Sequence, residues 1–61
     1  MIYENIVRIA KKRGMTLMEV ESRAGFGQGI ISKWKGDVNP TVRSLKKVAD
    51  VLGCSVATLL K

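Results

Sequence analysis

Between Thr16 and Gly25 the chain has room for a helix of barely two turns, and this stretch constrains the fold more than any other. A helix this short is not stable alone in water and forms only against a packing partner. Its start is clearly marked. Thr16-Leu17-Met18-Glu19 has capping-box spacing: the Thr16 hydroxyl accepts the Glu19 amide, and the Glu19 carboxylate accepts the Thr16 N–H. Met15 precedes the cap, placed for a hydrophobic staple. Leu17, Val20 and Ala24 form the inward stripe. Gly25 stops the helix, and Phe26 beyond it is the expected core plug.

The packing partners are also short helices. Ile2, Ile6, Ile9 and Ala10 recur at helical spacing, so helix 1 is expected over residues 2 to 13. Lys11, Lys12 and Arg13 suit the carbonyl end of its dipole, and Gly14 ends it. Helix 3 is expected from Gln28 to Lys35, anchored by Ile31 and Trp34 on one face, with Gly27 as a modest N-cap. Gly36 to Pro40 has the composition of a loop. Asn39 or Thr41 then caps helix 4, whose Leu45, Val48, Ala49 and Leu52 follow the i, i+3, i+4, i+7 pattern. Gly53 stops helix 4. Ser55 caps helix 5, with Val56, Leu59 and Leu60 apolar. No strand candidate survives. The expected fold class is all-α: five short helices in one domain over residues 1–61.

Composition narrows the function classes. Sixty-one residues suffice for one small core and leave little material for an enzyme cleft. Eleven Lys and Arg against five Asp and Glu give a net charge of +6, which points to a polyanionic partner. A single cysteine, Cys54, forbids an internal disulfide and suits a reducing cytoplasm. It reads as a small buried hydrophobe rather than a reactive thiol. The absence of histidine removes Cys/His zinc sites, so no metal and no cofactor are expected. No apolar run approaches a membrane span, and the early Glu4 does not fit a signal peptide. Gly25, Gly27 and Gly29 lack the spacing of a phosphate-cradling loop and follow no strand.

Taken together, these elements resemble the phage repressor and Cro type of helix-turn-helix domain, the lambda-repressor-like fold. The carriers are Met15-Thr16, Val20, the Gly25-Phe26 turn, Ile31-Ser32-Lys33-Trp34, Pro40, Leu45 with Val48-Ala49 and Leu52-Gly53, and Ser55 with Leu59-Leu60. No piece is specific alone; their order and spacing over essentially the whole chain are. The resemblance implies a cytoplasmic bacterial, phage or prophage transcription regulator, a repressor or Cro-like protein. It implies binding of palindromic operator DNA as a homodimer, at least on DNA, with helix 2 supporting and helix 3 in the major groove. No small-molecule ligand is expected.

The resemblance also assigns residues. Base contacts fall at Gln28, Gly29, Ser32 and Lys33. Gln can bond adenine N6 and N7, and Lys can donate to guanine O6 and N7. Gly29 has no side chain to read with but lets the backbone approach. Ile30 is expected on the DNA side or in solvent. Phosphate contacts fall at Thr16, Leu17, Gly27, Lys35, Gly36, Asn39, Thr41 and Arg43, several of them at helix starts where amides are unpaired. The dimer surface falls at Val51, Cys54, Val56 and Leu60.

Several positions depart from the common family pattern. Gln is frequent at position 17, where this chain has Leu17, which leaves only a backbone contact. Arg at position 10 and Glu at position 35 commonly pair; here they are Ala10 and Lys35. Position 21 is usually a small Ala and is Glu21 here. The substitutions suggest that Glu21 pairs with Lys35 in place of the missing ion pair. Gly36-Asp37 stands where Asn-Gly is frequent. A protein-interaction module of the same fold, such as an antitoxin-like domain, is the competing reading. The chain's basic charge favours DNA. Attachment to an anionic membrane surface fits poorly with glycine-stopped helices sharing a core. Catalysis lacks a histidine, a base beside Cys54 and a recognisable acid pair.

Overall fold

The computed structural model describes residues 2–36 and 39–61. Among the described residues there are four α-helices: α1 (Ile2–Lys12), α2 (Leu17–Ala24), α3 (Val42–Leu52) and α4 (Val56–Leu60). Between α2 and α3 lies a 3-10 helix, Ile31–Lys35. The expectation of five helices is therefore corrected to four α-helices and one 3-10 helix. α3 and α4 are the helices 4 and 5 of the sequence pattern.

Local chemistry accounts for most of the boundaries. The Thr16 capping box forms in both directions, with Glu19 N to Thr16 Oγ1 at 3.1 Å and Thr16 N to Glu19 Oε1 at 3.2 Å. Thr41, not Asn39, caps α3 by accepting the Ser44 amide at 3.1 Å. Ser55 caps α4 by accepting the Thr58 amide at 3.2 Å. At the end of α2, Phe26 N–H reaches back to the Glu21 carbonyl at 2.8 Å and Gly25 N–H to the Ser22 carbonyl at 3.2 Å. This Schellman pair requires a left-handed residue, and Gly25 has φ +79. The ends of α1 and α3 repeat the arrangement, with Met15 bonded to Ala10 and Cys54 to Ala49. In each case the residue just past the glycine (Met15, Phe26 or Cys54) packs against the core.

The core lies where all five elements meet. Ile6, Val20, Ile31, Val48 and Leu59 are fully buried, one from each element. α2 packs on α3, the 3-10 helix on α1, and α4 on both α1 and α3. A hydrogen bond that periodicity does not reveal joins the chain's two ends: Asn5 Nδ2 donates to the Leu59 carbonyl at 2.8 Å. Leu60, grouped with the apolar residues of helix 5, is 58% exposed.

Candidate nucleic-acid interface

The segment after α2 departs most from expectation. Gln28, Gly29 and Ile30 form a turn, and the helix begins only at Ile31. Gln28 therefore precedes the helix rather than opening it. Gly27 is not its cap, because Ile30 occupies that position and makes no side-chain capping bond. Gly29 has φ +80, a backbone conformation that side chains rarely tolerate. A Cβ there would meet nothing within 4 Å, so conformation rather than space demands glycine. Ile30 is half-buried and packs against the core, so it is less open to DNA or solvent than expected.

Ile31 and Trp34 are buried and hold the 3-10 helix in place. The Trp34 ring meets Phe26 edge to face, with centroids 5.9 Å apart and planes at 72°. With those two side chains inward, Ser32 and Lys33 are exposed, as is Gln28 in the turn before them. Gly29 is half-buried. The expected reading residues thus fall on one short segment, divided between a turn and a helix.

Glu21 does not pair with Lys35. It is only 5% exposed, and its carboxylate accepts two backbone amides beyond the turn: Gly29 N–H at 3.3 Å and Ile31 N–H at 2.9 Å. A buried carboxylate needs donors, and these two amides supply one to each oxygen. The Lys35 ammonium instead sits 5.8 Å from the centroid of the Tyr3 ring on α1, within cation–π range. Lys47 makes a similar approach to Phe26 at 5.9 Å.

The expected phosphate-contacting residues lie mainly at helix starts. Thr16 and Thr41 are exposed, but their hydroxyls are already engaged as caps. The two amides after each cap, Leu17 and Met18 on α2 and Val42 and Arg43 on α3, have no intrahelical acceptor and are the donors available to an anion. Leu17 is half-buried, while Gly27, Lys35, Gly36, Asn39 and Arg43 are exposed. Of the Gly36-Asp37 turn, position 37 lies outside the described residues. Met18, which the sequence did not single out, is 63% exposed and lines a shallow cleft with Glu21, Phe26 and Gln28. Its signal was available: an apolar residue off the inward stripe of an amphipathic helix.

Elsewhere, Val51, Cys54 and Val56 are half-buried against the core, leaving Leu60 as the one exposed member of the expected dimer set. Burial pushes the Cys54 thiol pKa up, opposed by the charge of Arg13, so the thiol stays protonated near neutrality. Among the described residues no cluster of His, Cys, Asp or Glu could hold a metal ion. No described helix is long and apolar enough to cross a membrane.

Comparison with known proteins identifies the family. The Cro/C1-type HTH DNA-binding domain family matches residues 5–61. An uncharacterized HTH-type transcriptional regulator, y4dJ of Sinorhizobium fredii, is 38% identical over 61 residues, covering 98% of this chain and 79% of that protein. The HTH-type transcriptional regulators SinR of Bacillus subtilis and Bacillus licheniformis are each 36% identical over 62 residues, covering 98% of this chain and 56% of theirs. The chain thus spans little more than half the length of the SinR proteins. No solved structure gives a significant match. The family's proteins bind DNA and are not enzymes. With the capped α2, the glycine turn, the buried Ile31–Trp34 anchor and a match over nearly its whole length, this chain belongs to the Cro/C1-type helix-turn-helix DNA-binding domain family.

Proposed function

We propose that the chain is a sequence-specific operator-binding regulator of transcription that acts by occupying a promoter, most simply as a repressor. The observation that carries this reading is the segment from Gln28 to Lys35. Its two apolar side chains, Ile31 and Trp34, are buried, while Gln28, Ser32 and Lys33 are exposed and chemically suited to base edges. The segment enters the major groove. The amides at the starts of α2 and α3 hold phosphates on either side, with Thr16, Gly27, Lys35, Gly36, Asn39 and Arg43 close to the backbone. Gly29 contributes shape rather than a contact.

The operator is a palindrome read by two copies. Half-sites one helical turn apart place two reading elements about 34 Å from each other. One domain carries a single such element and measures 27 Å in its longest dimension, so it cannot cover both half-sites. The second copy meets the first around Val51, Cys54, Val56 and Leu60. Because three of these four are already half-buried within one copy, little apolar area remains for a dimer free in solution. The free domain is therefore expected to run as a monomer at micromolar concentration in analytical ultracentrifugation and to pair on DNA.

Selection from a random double-stranded DNA pool tests the function directly. An enriched palindrome supports the reading; no enriched motif at about 0.1 M salt turns it toward a protein-interaction module. Two substitutions then separate reading from positioning. Lys33→Ala should cost about 1–3 kcal/mol on the selected site and relax preference at one base position. Arg43→Ala should weaken all sequences alike and reduce the salt slope by about one. Identical behaviour of the two variants would remove Lys33 from the reading set.

A further inference from the structure

Glu21 is the one charged side chain withdrawn from solvent among the described residues, and both of its oxygens are bonded to backbone on the other side of the turn. We propose that Glu21 is the positioning residue of the reading segment: its carboxylate sets the register in which Gln28, Ser32 and Lys33 leave the protein surface. The proposal rests on the assignment of that segment to DNA reading.

Ile31 and Trp34 anchor the 3-10 helix on its buried face, but the turn that leads into it lacks the usual supports. The helix has no cap of its own, since Ile30 stands at the cap position in helical conformation and makes no side-chain bond. The two helical elements flanking the turn find their principal packing elsewhere, α2 on α3 and the 3-10 helix on α1. The left-handed Gly29 at the centre of the turn has no side chain with which to anchor itself. The carboxylate supplies what these omit. One oxygen holds Gly29, eight residues along the chain, and the other holds Ile31, ten residues along. These two points lie between the reading side chains: Gln28 precedes the first, and Ser32 and Lys33 follow the second. Binding groups must be held to about half an ångström to keep their selectivity, and a carboxylate with one donor per oxygen provides such a two-point hold.

Two variants test this. Glu21→Gln keeps one acceptor oxygen and puts an NH2 where the second was, so one amide loses its partner. Glu21→Ala removes both acceptors. The ratio of affinity for the selected site to affinity for random DNA is expected to fall about tenfold in the Gln variant and further in the Ala variant, with random-sequence affinity held within about twofold. A purely structural loss would lower both affinities through a smaller folded fraction. Amide hydrogen exchange supplies the second readout: Gly29 and Ile31 should exchange faster while Val48 and Leu52 in α3 remain protected. If the Ala variant fails to fold, the Gln variant carries both measurements. An unchanged specificity ratio in a folded Gln variant overturns the proposal, as does unchanged exchange at both amides. Absence of any sequence preference in the parent chain overturns the DNA role itself, and amide exchange still decides whether Glu21 holds the segment.

Discussion

Trp34→Ala is expected to cost about 3–5 kcal/mol and to leave no cooperative melting transition above room temperature. The ring is 8% exposed, meets Phe26 edge to face and seats the 3-10 helix on α1. A 3-10 helix has poorer hydrogen-bond geometry than an α-helix and contributes little stability of its own. Its five residues stay in place through the burial of Ile31 and Trp34. A core of this size supplies only about 3–5 kcal/mol in total, so the substitution removes most or all of the margin. Trp34→Phe keeps an aromatic ring against Phe26 and should retain a cooperative but lowered transition. Circular dichroism melts of the two variants against the parent decide the matter. A Trp34→Ala chain melting within a few degrees of the parent would show that the reading segment is not anchored through this ring.

Leu59→Ala has the next largest expected effect, about 2–5 kcal/mol. Leu59 is fully buried, and it is the only fully buried side chain that α4 contributes. α4 has five residues, too few to persist without docking. Each kcal/mol lost should lower the melting midpoint by about 4–8 °C in a domain of this size. The adjacent Leu60→Ala makes the same chemical change at a residue that is 58% exposed, and should stay within about 0.5 kcal/mol. Asn5→Ala falls between them at about 1 kcal/mol, since it removes the bond to the Leu59 carbonyl and leaves the packing intact. Equal losses for Leu59→Ala and Leu60→Ala in urea titrations would mean that Leu60 is covered in solution, as a dimer formed without DNA would require.

The outcomes at particular residues show which physics is written locally. Thr16, Thr41 and Ser55 start their helices as their hydroxyls dictate, because a cap bonds an amide three residues away. The core residues Ile6, Ile9, Ala10, Val20, Leu45, Val48, Ala49 and Leu52 follow helical spacing, which one strand of sequence displays in full. The resemblance and side-chain chemistry nominated Gln28, Ser32 and Lys33 as base-reading residues, and the structure leaves all three exposed. Local rules failed between Gly27 and Ile31. They placed Gly27 as a cap and began the helix three residues early, and the departures from the family pattern paired Glu21 with Lys35.

The amino-acid sequence by itself determined the order of the helical elements, most of their ends and the faces they bury. These depend on contacts within a turn or two of the chain. Only the tertiary structure decided where the short α2 finds its support and how the reading segment is held. Gly25, Gly27 and Gly29 are chemically identical, yet Gly25 and Gly29 take positive φ and Gly27 does not. Glu21 meets Gly29 and Ile31, Lys35 meets Tyr3, and Asn5 meets Leu59 only after the chain has closed on itself. A buried carboxylate goes to whichever donors the closed fold leaves unpaired, and those donors are backbone amides that every residue type carries alike.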